Sequence, residues 1–201
     1  ILGTNGPDQL VGTNADNTIE AGGGNDRLNG LLGNDLLNGG TGIDTAVYSN
    51  NKSAFSISPN KDGLTITGSE GSDTLINMER LDFLDKNLAF DLAKEQSAGN
   101  TIRVIGAAFD ANNIIPEYVA IGLQLFDSGQ SLLSVSELVV NSALFQSMTG
   151  SSSNEAFVNH VYRNVVGELP STTERDFYVG MLKGNGGTLT QAELLILAAN
   201  A

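Results

Sequence analysis

The chain has 201 residues, enough for one large or two small domains, and its 40% hydrophobic content allows a packed core that is mostly aliphatic, since only 6% is aromatic and Trp is absent. A net charge of −13 disfavours nucleic acid and anionic lipid as partners and favours cations. Cys is absent, which excludes disulfides and thiol chemistry, and no stretch approaches the ~20 apolar residues of a membrane span.

Glycine is concentrated at the start: 11 of the 24 lie within residues 3–47. Cut every nine residues, that stretch reads GTNGPDQLV, GTNADNTIE, AGGGNDRLN, GLLGNDLLN and GGTGIDTAV. Position four holds Gly6, Ala15, Gly24, Gly33 and Gly42; position six holds Asp8, Asn17, Asp26, Asp35 and Asp44; position eight holds Leu10, Ile19, Leu28, Leu37 and Ala46. Ile1-Leu2 fits positions eight and nine of an earlier unit. With no initiator Met and no signal peptide, the chain is expected to be a fragment of a longer protein whose array begins upstream.

Each unit divides into a six-residue turn and a three-residue strand whose inward residue is position eight. The turn needs backbone conformations that Gly adopts at low cost, and Gly22-Gly23-Gly24 and Gly39-Gly40 fit that need. Two units make one lap, so Asp8, Asp26 and Asp44 are expected to stack in one column and Asn17 and Asp35 in a second. Carboxylates stacked at the ~4.8 Å spacing of neighbouring strands repel unless a cation lies between them. Ca²⁺ takes six to eight oxygens at ~2.3–2.6 Å, and two Asp side chains with four turn carbonyls offer six; Mg²⁺ demands a tighter octahedron. Three ions are expected, in the gaps 8/26, 26/44 and 17/35, the last weakened by the amide of Asn17. An ion-free solenoid using the Asp residues as Asx-turn formers is the alternative.

Residues 48–95 carry short alternating runs, "AFSIS", "LTIT", "LDFL" and "LAFDL", separated by the turn signals "PNKDG" and "GSEGSD". They are expected to form a β-rich cap that covers the end of the solenoid. Residues 96–201 change to three- and four-residue apolar spacing and are expected to be helical. Ser134–Glu137 and Ser171–Glu174 fit capping boxes, and "TGSSSN" at 149–154 separates two halves. The halves resemble each other: Val135–Val139 matches Gln191–Leu195, and Ala108-Phe109 matches Val161-Tyr162. The expected fold class is therefore α+β and multidomain: a parallel β-roll at 1–47, a β cap at 48–95, and an all-α degenerate tandem repeat at 96–201.

Residues 3–47 resemble the RTX (repeats-in-toxin) hemolysin-type repeat, GGxGxDxUx with U apolar. The resemblance implies a secreted, extracellular or cell-surface protein of a Gram-negative bacterium, exported by type I secretion machinery and folding on calcium outside the cell. It also implies ligand sets. The 8/26 site would use Thr4, Gly6, Asp8, Ala21, Gly23 and Asp26. The 26/44 site would use Gly22, Gly24, Asp26, Gly39, Thr41 and Asp44, and the 17/35 site Thr13, Ala15, Asn17, Gly30, Leu32 and Asp35. Ala21 in place of Gly, Asn17 in place of Asp, and the bulky Leu31-Leu32 depart from the pattern. "GIDTAVYSNNKSAFSIS" and "GSDTLINMERLDFLD" resemble the segment that ends many RTX blocks, where Asp73 is either a further ligand or a turn residue. "FVNHVYRNVVGELPSTTERDFYVGMLKGNGG" resembles a helical domain of unknown function often appended to such blocks.

Other signals point away from catalysis. His160, the single His, is expected in packing or at the surface, and without Cys or a second His neither a Zn²⁺ site nor a catalytic triad is complete. "GGGNDRLNG" lacks the GK[ST] of a phosphate loop. The pairs Asp82/Asp85 and Glu174/Asp176 are expected to be solvated or helix-terminal charges rather than a glycosidase dyad. "LLILAANA" fits either an export signal or an ordinary amphipathic helix. The expected function is a non-enzymatic calcium-binding module of a larger secreted protein, with an export, structural or adhesive role; the alternative is the non-catalytic tail of a secreted protease, lipase or polysaccharide epimerase. A cell-surface protein or glycan is the expected partner of the helical half.

Overall fold

Nine residues leave each unit enough chain for one short strand and one turn. In the computed structural model, which describes residues 1–201, those strands are β1 (Gln9–Val11), β2 (Thr18–Glu20), β3 (Arg27–Asn29), β4 (Leu36–Asn38) and β5 (Thr45–Val47). Successive strands go to opposite sheets: β1, β3 and β5 pair in parallel in one, β2 and β4 in the other. Leu10 lies opposite Leu28, Leu28 opposite Ala46, and Ile19 opposite Leu37, so one lap is two units. The middle residue of each strand points between the sheets. Ile19, Leu28, Leu37 and Ala46 are fully buried there, each large aliphatic among them contributing ~1.5–3 kcal/mol.

The coil does not stop at residue 47. β6 (Phe55–Pro59) and β7 (Leu64–Gly68) form an antiparallel hairpin, and β7 pairs antiparallel with β8 (Gly71–Ile76). β8 also lies parallel to β4, with Leu75 opposite Leu37. β9 (Arg80–Asp82) lies parallel to β5, with Leu81 opposite Ala46, and β10 (Asn87–Ala89) ends that sheet antiparallel. Both five-stranded sheets are thus mixed and open, parallel through the repeats and antiparallel at the far edge. One apolar cluster runs from Ile19 through Leu75 and Leu81 to Tyr48, Phe55 and Phe83, whose ring centroids are 4.9–5.3 Å apart. Repeats and following strands accordingly share one core, in a compact unit spanning Ile1–Asp91. Near its end Arg80 pairs with the buried Asp91.

The second unit, Leu92–Ala201, is helical. Its helices are α1 (Ser97–Phe109), α2 (Pro116–Asp127), α3 (Leu132–Val140), α4 (Ala143–Thr149), α5 (Asn154–Val166), α6 (Thr172–Gly180) and α7 (Gln191–Ala199). The chain is therefore α+β, with strands first and seven helices after. Ser171 and Glu174 form the expected capping box of α6. The box expected at Ser134 is not formed: α3 starts three residues earlier, where Ser131 accepts the Ser134 N–H and Glu137 falls inside the helix. The apolar run after it is cut in two because Ser142 caps a new helix, α4, through the Phe145 N–H. The core gathers Val104 and Ala108 of α1, Phe145, Phe157 and Val161, and Leu194 and Leu195 of α7. Elements that resemble each other in sequence pack together: α1 on α5, and α3 on α7.

Candidate metal centre

Position six forms a ladder along each side of the coil. The Asp8 N–H donates to Asp26 Oδ1 at 2.8 Å, and the Asp26 N–H to Asp44 Oδ1 at 2.9 Å. On the other side the Asn17 N–H donates to Asp35 Oδ1 at 2.8 Å. Each carboxylate therefore spends one oxygen on the turn before it. Position five adds a second tier, in which Asp16 accepts the Asn34 N–H and Asn25 the Ile43 N–H.

The second carboxylate oxygens decide whether a cation fits. Oδ2 of Asp26, Asp35 and Asp44 is buried without any hydrogen-bond partner, and these residues are at most 2% exposed. A buried ionised oxygen without a donor is costly. At the first lap, a Cβ on Gly3 would collide with both Ala21 O and Asp8 Oδ2; on Gly12 it would collide with Gly30 O and Asn17 Oδ1. Glycine at position one thus leaves a cradle in which a side-chain oxygen of one turn meets a carbonyl oxygen of the next. The polar atoms nearest the added carbon are oxygens, the donor type a hard cation takes. No three His, Cys, Asp or Glu side chains gather anywhere, so each gap offers two acidic or amide side chains and relies on carbonyls for the remainder. The residues present fit Ca²⁺.

The other expected ligands are placed more variously. Thr4 and Gly22 carbonyls each accept an N–H from position three of the next turn, and Thr41 O accepts the Gly24 N–H, so one lone pair on each is already engaged. Gly6 and Ala15 carbonyls accept the hydroxyls of Thr4 and Thr13, whose Oγ1 atoms also reach Asp8 and Asn17. Gly23 and Gly39 lie in the stacked turns of the Asp8–Asp44 column and Leu32 in that of Asp35, Leu32 with its side chain exposed.

Burial drives the electrostatics. Desolvation pushes the Asp44 carboxyl up to about 6, with the negative charges of Glu79 and Asp26 adding to the rise. Desolvation likewise raises Asp73 to about 6 and raises Asp35 and Glu79. The phenol of Tyr48 is held far above its usual value by burial and then by Asp73, so it remains a donor, and it gives its hydrogen to Asp73 Oδ2 at 3.0 Å.

Sequence reading missed that residues 68–76, GSEGSDTLI, are a sixth unit: Gly68 and Gly71 hold positions one and four, Asp73 position six and Leu75 position eight. The signal was present, but an insertion separates it from the gapless array. Glu79 carried no such signal; the pairing of β9 with β5 alone brings it beside Asp44. The remaining polar residues have local work. His160 Nε2 bonds Ala108 O at 2.7 Å and Asn164 donates to Ala107 O at 3.0 Å, satisfying carbonyls at the end of α1. Asp82 pairs with Arg27, Asp85 accepts the Lys52 N–H, Glu174 caps α6 and Asp176 pairs with Arg175.

The RTX calcium-binding nonapeptide repeat matches in four copies, over residues 2–37 and 11–46. Residues 136–199 match a domain of unknown function, DUF4214. No curated protein matches the chain. Among solved structures, the extracellular lipase LipA of Serratia marcescens is similar at a TM-score of 0.36 and 18% identity, over 39% of this chain and 13% of the lipase. The chain thus spans a small part of that lipase.

Proposed function

Because residues 2–46 carry RTX calcium-binding nonapeptide repeats, we propose that the first unit is a calcium-dependent folding module of a secreted protein. The observation that carries this reading is the column of stacked carboxylates of Asp8, Asp26 and Asp44, in which Oδ2 of Asp26 is buried without a partner. When bound, the cation supplies the positive charge that offsets their desolvation. The residues do the positioning. Asp8, Asp26 and Asp44, with Thr4, Gly6, Ala21, Gly22, Gly23, Gly24, Gly39 and Thr41, would line the 8/26 and 26/44 gaps as a parallel β-roll. Asn17 and Asp35, with Thr13, Ala15, Gly30 and Leu32, would line the 17/35 gap.

Without the cation the stacked carboxylates oppose folding, so a chain of this kind stays open where calcium is scarce and closes where it is plentiful. That asymmetry suits export through a type I secretion channel and folding outside the cell. The chemistry offered is cation ligation and structural support, and we assign no catalysis to this chain. Calcium titration followed by far-ultraviolet circular dichroism and calorimetry tests the proposal. Binding is expected at roughly 10⁻⁴–10⁻³ M per site, as in extracellular modules, with gain of strand signal; no heat and an unchanged spectrum would refute it.

A further inference from the structure

Both ladders continue one step beyond the repeats. The Asp35 N–H donates to Asp73 Oδ1 at 3.0 Å and the Asp44 N–H to Glu79 Oε2 at 2.9 Å, as the Asp8 N–H does to Asp26. The following backbone bond is repeated too. Thr74 N–H reaches Asp35 O at 2.8 Å and Arg80 N–H reaches Asp44 O at 2.9 Å, matching Arg27 N–H to Asp8 O at 2.9 Å. A Cβ on Gly39 would collide with Asn77 O and Asp44 Oδ2, the same convergence of oxygens that Ala21 O and Asp8 Oδ2 make at Gly3. By this geometry the Oδ2 atoms of Asp8 and Asp44 face the turn that follows, and the same ladder and backbone bonds place Asp35 alike. The partnerless oxygens of Asp35 and Asp44 then belong to the gaps ahead of them, whose far walls are Asp73 and Glu79.

We propose that the coil holds two calcium ions beyond those of the repeats, one between the Asp35 and Asp73 turns and one between the Asp44 and Glu79 turns. This rests on the reading that the repeats bind calcium. Each ion would tie a repeat turn to a segment that follows the β6–β7 hairpin, so the cation would staple the insertion into the coil. The column through Asp73 ends there, because the oxygen that would face a next ion accepts the Tyr48 hydroxyl instead. The three gaps within the repeats and these two make five ions per chain.

Native mass spectrometry of the full chain equilibrated with Ca²⁺ tests the count. Five ions are expected. Three ions would overturn this inference and leave the proposed function standing; none would overturn both. The double variant Asp73→Ala, Glu79→Ala, which leaves no side-chain oxygen at either position, is expected to retain three ions with the calcium-loaded circular dichroism unchanged, and five in that variant would refute the assignment to these gaps. Should the double variant not fold, terbium anomalous scattering from crystals of the unaltered chain gives the positions. Peaks in the 35/73 and 44/79 gaps are expected, and peaks confined to 8/26, 17/35 and 26/44 would refute the inference.

Discussion

Position four shows most directly what a single residue contributes to the coil. Gly42 has φ +135° and Gly71 has φ +134°, and a Cβ on either would overlap a carbonyl oxygen of the turn below, Gly24 O or Gly33 O. Gly42→Ala and Gly71→Ala are each expected to cost at least ~1–2 kcal/mol from the backbone alone, read as a higher calcium requirement for folding in circular dichroism. Gly6, whose Cβ would meet nothing nearer than Thr4 Oγ1 at 4.0 Å, should accept Ala with little change. Leu31 makes the opposite case. It takes φ +70° at position two, where Gly22 and Gly40 take φ +103° and +95°. Leu31→Gly relieves that strain and is expected to stabilise the calcium-loaded unit by ~1 kcal/mol in denaturant melts. The bulky pair was visible in the sequence; the strain falls on Leu31 alone because it is the one of the two that takes a positive φ.

Among elements, the stacked turns respond to pH. The carboxyls of Asp44 and Asp73 rise to about 6 and those of Asp35 and Glu79 rise as well, all chiefly by desolvation. A carboxyl whose folded value lies above its unfolded value, ~4, favours the folded state below ~4, and that stability is lost as pH climbs through 6. The calcium-free chain should therefore melt at a higher temperature at pH 5 than at pH 7.5. Saturating Ca²⁺ should reverse the order, since protons and cations compete for the same oxygens. Differential scanning calorimetry with chelator and with calcium checks both halves. In the helical unit, His160 and Asn164 of α5 close the carbonyl end of α1. His160→Ala leaves Ala108 O without that partner and is expected to cost ~1–3 kcal/mol in urea melts of the helical signal, with calcium binding unchanged.

At the scale of the whole molecule, two cores answer to different forces. The Ile1–Asp91 unit buries a narrow aliphatic strip between sheets and carries its stacked carboxylates, while Leu92–Ala201 has an ordinary helical core. Chelation should thus release amide protection across residues 1–91 in hydrogen exchange and leave α1 and α3 to α7 protected; loss in both units together would contradict separate stability. The nine-residue period determined by itself the strand spacing, the inward face, the eighteen-residue lap and the columns of Asp8, Asp26 and Asp44 and of Asn17 and Asp35, because each follows from residues close along the chain. Helix content was equally legible, though not the start of α3, since Ser131 and Ser134 both head an apolar run and only packing chooses between them. Where the coil ends was decided by tertiary structure alone. Nothing local to Glu79 marks it as the neighbour of Asp44, and nothing local to Tyr48 marks it as the donor to Asp73. Those pairings arise from β8 and β9 docking on β4 and β5 across a hairpin insertion, where burial of Leu75 and Leu81 sets the register and the polar contacts follow.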